Sequence, residues 1–284
     1  MAKKLIPMAI CYDFDGTLSP CNMQDYDFMK HIKKTPKQFW TESNKFAKEN
    51  QADQITAYMY HMLKTAKDNN TSFTKKALNK YGKNIELFNG VETWFERINR
   101  YAESKNIRLN HYIISSGLKE MIDGTKIKKY FKKIYASSFI YDNNNAAIWP
   151  AMAINYTSKT QFLFRINKGH EDITDDSKIN KFVPLEKRPL PFSNMIYIGD
   201  GDTDIPCMKL VKREGGHSIA VYNSKKRGKK GKEKTKDLIQ DGRVNMVLPA
   251  DYSENSKIDL YVKSIIDNIS TYYKKKSIEE KELK

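Results

Sequence analysis

Two carboxylates one residue apart, Asp13 and Asp15, stand at the end of the apolar run Ile6–Tyr12 and are followed at once by Gly16. A short apolar run closed by a turn signal reads as a buried β-strand, so the pair is presented at a strand's carboxyl end. Two adjacent carboxylates stay ionised together only where a cation offsets their repulsion. Oxygen ligands suit Mg²⁺, and open α/β sheets bind ligands beyond the carboxyl ends of their strands, which points to a hard-metal or phosphoryl-transfer site. The plainer reading is a turn capped by acids, since Asp and Gly both favour turns. Three further segments weigh against it.

The first is His111-Tyr112-Ile113-Ile114-Ser115-Ser116-Gly117, a second apolar run that ends in hydroxyls and a glycine before a helix-like stretch. A strand-to-helix turn there would offer the Ser115 hydroxyl and the amides of Ser116 and Gly117 to phosphate oxygens. The second is Lys159, which follows the strand-like stretch 148–156 and opens the helical pattern 160–166. A lysine at that point is a compact charge for a phosphate and for the negative charge that develops in transfer. Lys168, at the far end of the same helix, is the alternative. The third is Met195-Ile196-Tyr197-Ile198-Gly199-Asp200-Gly201-Asp202-Thr203-Asp204, a strand delivering three acids around glycine. Such a cluster also calls for a cation. Pro206 suits the first turn of the helix that follows, and Gly215-Gly216 its end.

Strand-end acids, a strand-end hydroxyl, a lysine and a second acid cluster, in that order, resemble the four motifs of the haloacid dehalogenase superfamily. The likeness runs from about Met8 to Val221. It implies a Rossmann-like α/β core, Mg²⁺ as cofactor, and roles residue by residue. Asp13 matches the nucleophile, which forms an aspartyl-phosphate and also binds the metal; Asp15 matches the general acid and base. Ser115 matches the phosphate-binding hydroxyl, with Ser116 and Gly117 beside it, and Lys159 the stabilising lysine. Asp200 matches the acid that completes the metal site, and Asp204 fits the second acid of that motif. The metal set expected is thus Asp13, Asp15, Asp200 and Asp204, with no role assigned to Asp202.

The chemistry is consistent with those roles. A phosphate monoester is heavily anionic, so a carboxylate can attack it only where a metal ion and a lysine offset the repulsion. A second carboxylate beside the first can protonate the departing alcohol and then deprotonate water. An acid at position 15 favours a phosphatase over a dehalogenase, because halide leaves without a proton. The expected activity is hydrolysis of a small phosphorylated metabolite. A phosphotransferase with the same intermediate, or a non-catalytic anion- or nucleic-acid-binding protein, is the alternative.

The elements that must carry these residues are a mostly parallel, helix-flanked sheet and a smaller helical cap. Between the first two motifs, Ile55, Tyr58, Met59, Met62, Leu63 and Ala66 recur at helical spacing, and Thr35-Pro36 reads as the cap and first turn of a helix bearing Phe39, Trp40 and Phe46. Gly82 closes a shorter helix, and Val91, Trp94, Phe95, Ile98 and Ala102 line the next. The division expected is residues 1–20 and 84–273 for the core, 21–83 for the cap and 274–284 for a frayed charged tail. The insertion after the first motif resembles the helical-cap subgroup that includes phosphoserine phosphatase. Stretches 138–141 and 148–156, joined by an Asn-rich turn, suggest a β-hairpin. From Lys257, Ile258, Leu260, Tyr261, Ile265, Ile266 and Ile269 form an apolar helical face.

With 284 residues, 39% of them hydrophobic, the chain can build a substantial core. No apolar run approaches the roughly 18 residues that a membrane span needs, which excludes the ion-pumping relatives. Cys11, Cys21 and Cys207 form no paired spacing, and the N-terminal apolar stretch leads straight into the first strand. A retained N-terminus and a reducing, cytoplasmic setting are expected. The net charge of +16 raises the question of a polyanionic partner. Its densest run, from Lys225 to Lys232, is read as a solvated, glycine-interrupted loop in preference to nucleic-acid binding, since no aromatic residue interleaves it.

Overall fold

The computed structural model describes residues 5–225 and 237–282. β1 (Ile6–Tyr12) is followed by a helical segment, α1 (Asp27–His31), α2 (Pro36–Glu49), α3 (Gln54–Asp68) and α4 (Lys75–Gly82). Then come α5 (Val91–Ser104), β2 (Ile107–Leu118), α6 (Lys119–Asp123), β3 (Phe131–Tyr141), β4 (Ala147–Met152), α7 (Lys159–Lys168) and α8 (Asp176–Ile179). β5 (Met195–Gly199), α9 (Ile205–Arg213), β6 (His217–Tyr222), β7 (Met246–Pro249) and a C-terminal helix (Lys257–Glu282) complete the chain.

The strands form one seven-stranded sheet in the order β4-β3-β2-β1-β5-β6-β7. Every neighbouring pair is parallel except β3 and β4, the hairpin at one edge. This is the Rossmann-like α/β arrangement. β1 lies at the centre because both its faces are apolar. Met8, Ile10 and Tyr12 join the cluster beneath α5 and the C-terminal helix, with Trp94, Phe95, Val262 and Ile266. Ala9 and Cys11 join the opposite cluster, with Phe162 and Leu163 of α7 and Met208 and Val211 of α9. Each large apolar side chain fully buried in this way contributes about 1.5–3 kcal/mol.

The helical segment after β1 shares the first of these clusters. Phe28, Phe39, Met59, Met62 and Leu78 are buried in it together with the sheet residues. α2 starts where its sequence requires, with Thr35 and Gln38 closing a capping box and Pro36 in the first turn. At the seam with the sheet domain, α4 and α6 meet backbone to backbone. A Cβ on Gly82 would lie 1.9 Å from the Met121 carbonyl oxygen, and one on Gly124 1.9 Å from that of Asn79. Only glycine permits such an approach.

Three expectations need correcting. The second hairpin strand ends at Met152, since Asn155 turns the chain toward α7 through bonds from the Thr157 and Ser158 amides to its side chain. The charged residues from 274, expected to fray, continue the last helix to Glu282, with Lys275–Glu279 and Lys276–Glu280 pairs at 3.6 and 3.9 Å on its surface. Leu260, expected on the buried face of that helix, is exposed. Beyond Lys225, the basic run to Lys232 lies outside the described residues.

Candidate active site

Asp13 directly follows β1, and its backbone N–H bonds the Ile198 carbonyl of β5 at 2.9 Å, so it sits between the carboxyl ends of β1 and β5. Asp200 directly follows β5. Carboxylate oxygens of Asp13, Asp200 and Asp204 lie within 4.8 Å of one another. The approach of Asp200 depends on Gly16, whose φ of +77° is left-handed and whose Cβ, if present, would stand 2.2 Å from Asp200 Oδ2. Asp13 is buried, and its Oδ1 has the Lys159 Nζ at 3.2 Å but no well-aligned hydrogen bond. Burial, and then the neighbouring charge of Asp204, push its carboxyl up to about 6 against the pull of Lys159.

Lys159 opens α7 and is wholly buried. Its ammonium donates to Asp204 Oδ1 at 2.7 Å as well as facing Asp13. Burial by itself would lower its pKa; the two carboxylates outweigh burial and hold it above the ordinary lysine value. Asp204 is fully enclosed. Oδ1 accepts from Lys159 and, at 2.7 Å, from the Tyr197 hydroxyl, while Oδ2 accepts from the amides of Asp200 and Gly201 at 3.2 and 3.3 Å. Four donors fill the capacity of a carboxylate. Lys168, the alternative lysine, instead donates to the carbonyls of Ile179 and Lys181.

Asp15 stands outside the three-carboxylate group. Its Oδ1 accepts the Met23 amide at 2.9 Å, and burial followed by the charge of Asp13 holds its carboxyl well above the usual range. Ser115, Ser116 and Gly117 do not form a strand-to-helix turn. β2 continues through Leu118, and its register with β3 slips between Ser115 and Leu118, so that Ser116 and Gly117 bulge out of the ladder. The Gly117 amide donates to the Ser115 hydroxyl at 3.1 Å, and the Ser116 hydroxyl is buried without a partner.

Asp13, Asp15, Ser115, Ser116, Gly117 and Asp200 line one cavity of about 480 Å³ on the sheet side, whereas Lys159 and Asp204 lie fully buried and do not line it. The helical segment supplies its other wall, including Gln24, Asp25, Trp40, Ile55 and Tyr58. In sequence, Trp40 and Tyr58 belong to the packed stripes of α2 and α3, and no local pattern singles out Gln24 or Asp25. Apolar periodicity does not distinguish a side chain that packs from one that also lines a cleft. Tyr197, equally missed, reads in sequence as one more strand residue.

The sequence pattern of the haloacid dehalogenase-like hydrolases matches residues 10–209, and it contains all of these strand-end groups. The chain belongs to the haloacid dehalogenase-like hydrolases. An uncharacterized protein of Borreliella burgdorferi is 29% identical to this hydrolase over 279 residues, spanning 88% of this chain and 93% of that one. The crystal structure of a HAD family hydrolase from Salmonella enterica serovar Typhi has a TM-score of 0.59 at 17% identity, covering 92% of this chain and 72% of its own. A probable phosphoserine phosphatase from Vibrio cholerae gives 0.58 at 9%, covering 94% and 67%. A substrate-bound phosphoserine phosphatase gives 0.53 at 14%, covering 87% and 93%. At such identities the likeness is one of fold. Among the described residues no helix is long and apolar enough to cross a membrane.

Proposed function

We propose that this HAD hydrolase is a Mg²⁺-dependent phosphatase that cleaves a small phosphomonoester through an aspartyl-phosphate on Asp13. The observation that carries this reading is the convergence of Asp13, Asp200 and the buried Lys159–Asp204 pair at the ends of β1 and β5, with Asp13 and Asp200 lining the same cavity as the bulged Ser115–Gly117 segment. The donors suit a hard cation, since all are carboxylate oxygens and one oxygen of Asp13 is buried without a hydrogen bond. Asp13 and Asp200 would hold Mg²⁺, whereas the four donors on Asp204 favour a role in fixing Lys159. Bound there, the ion would supply charge neutralisation to the phosphoryl oxygens.

In this reading the Ser115 hydroxyl and the Ser116 and Gly117 backbone N–H groups donate to the phosphate, and the Lys159 ammonium offsets its charge beside Asp13. A carboxylate oxygen of Asp13 attacks phosphorus as the ester bond breaks, and Asp15, whose carboxyl burial and the charge of Asp13 hold above the usual range, gives its proton to the departing alkoxide. Asp15 then takes a proton from water, whose oxygen attacks phosphorus and releases the Asp13 carboxylate. Helices α1–α4 act as the cap that closes the cavity from solvent. Release of inorganic phosphate from a phosphometabolite panel, with and without Mg²⁺, tests the proposal. Asp13→Asn should abolish release, and wild-type rates in that variant would remove Asp13 as nucleophile. Added alcohol acceptors distinguish transfer from hydrolysis.

A further inference from the structure

Resting on that reading, we infer that Tyr58 of α3 is a positioning residue that couples closure of the cap to the shape of the phosphate cradle. Its hydroxyl donates to the Ser116 carbonyl oxygen at 2.6 Å, across the cavity from its own helix. That carbonyl and the Gly117 amide belong to one planar peptide unit. Gripping the oxygen fixes the plane, and with it the direction of the Gly117 N–H, which faces the Ser115 hydroxyl at 3.1 Å. The bulge makes this control necessary. Ser116 and Gly117 have left the β2–β3 ladder, so the register that fixes other strand peptides no longer fixes theirs.

Tyr58 is itself held. It is 4% exposed, and the Trp40 ring stands edge-on to it with centroids 5.7 Å apart. Trp40 in turn donates to Asp25 at 2.8 Å. A second contact ties the same helix to the turn that precedes Lys159. Asp53 caps α3 through the Ile55 and Thr56 amides and also accepts from the Asn155 side-chain amide at 3.3 Å. Asn155 organises the turn that presents Lys159, whose backbone N–H bonds the Asn155 carbonyl at 3.1 Å. Helix α3 therefore touches the cradle through Tyr58 and the lysine turn through Asp53. When the helix is seated, both elements are in the arrangement described; when it lifts, the Ser116 carbonyl loses its donor. By linkage, phosphate binding must favour the seated helix by the same factor.

The test titrates inorganic phosphate, with Mg²⁺ present, into wild type, Tyr58→Phe and Tyr60→Phe, reading affinity by calorimetry and hydrogen exchange in α3. Tyr60 lies on the same helix but is half exposed and stacks on Phe46, so its variant is the control. Wild type and Tyr60→Phe should bind phosphate and show slower exchange in α3. Tyr58→Phe should bind about three- to tenfold more weakly, as expected for one hydrogen bond, and lose that protection while exchange in β1 stays unchanged. Phosphate binding that leaves α3 exchange unaltered, or a Tyr58→Phe variant matching wild type in both readouts, overturns the coupling and leaves the phosphatase reading intact. No phosphate binding by wild type overturns the cradle itself, and both proposals with it.

Discussion

Replacing Asp204 with Asn should damage this protein far more than an isosteric change at an exposed acid. The carboxylate is wholly buried and accepts from the Lys159 ammonium, the Tyr197 hydroxyl and two backbone amides. An amide has one acceptor atom and one donor atom. Whichever way it turns, its NH₂ faces either the Asp200 and Gly201 amides or the Lys159 ammonium, so donors meet donors. Breaking a buried ion pair by removing one partner costs about 3–5 kcal/mol. With a urea slope of about 3 kcal/mol/M, the unfolding midpoint should fall by roughly 1–1.7 M. A double-mutant cycle adds a sharper criterion. Lys159→Met leaves Asp13 and Asp204 as neighbouring buried acids, so Asp204→Asn on that background should cost much less, giving a coupling of about 2–3 kcal/mol. An Asp204→Asn loss below about 1 kcal/mol, or additive effects, would refute the view that Asp204 is engaged chiefly with Lys159.

Other expectations follow from the same geometry. Asp15→Asn should lose turnover while Mg²⁺ affinity by calorimetry changes little, and full activity in that variant would end the proposal that it acts as acid and base. Gly16→Ala combines a left-handed backbone, which costs an L-residue about 1–2 kcal/mol, with a Cβ driven into the Asp200 carboxylate. Mg²⁺ titration of the variant should show about 10–100-fold weaker dependence, and an unshifted curve would contradict the close approach. His111 is buried between the Tyr12 hydroxyl and the Asn99 side chain, and burial lowers its pKa to about 3. Between that value and 6.5 the unfolded chain binds the extra proton, so stability from this group is full above about pH 6.5 and falls by about 1.4 kcal/mol per unit as pH drops. Urea unfolding from pH 7 to 4 should show a shallower loss in His111→Gln than in wild type; equal slopes would show that His111 is not the group responsible.

Local chemistry was sufficient for the ends of β1 and β5 and the acids that follow them, though not for β2, which runs on to Leu118, or for the second hairpin strand, which stops at Met152. The apolar run Ile6–Tyr12 is strand β1 residue for residue, and Asp13 and Asp200 follow their strands directly, because continuous apolar runs and the turn residues that close them are properties of neighbouring positions. Capped helices were legible for the same reason, as Thr35-Pro36 at the start of α2 illustrates. Tertiary structure alone decided which partner each site residue keeps. Asp204 satisfies a lysine 45 positions away, and Tyr58 reaches a carbonyl 58 positions away. The slip of β2 against β3 that frees Ser116 and Gly117 is likewise invisible in either strand by itself. Spacing along the chain specifies most apolar faces and, at β1 and β5, where the strand stops. Hydrogen-bond allegiance depends on which donors and acceptors are left facing one another once the sheet, helices and insertion have packed, and no local pattern carries that information.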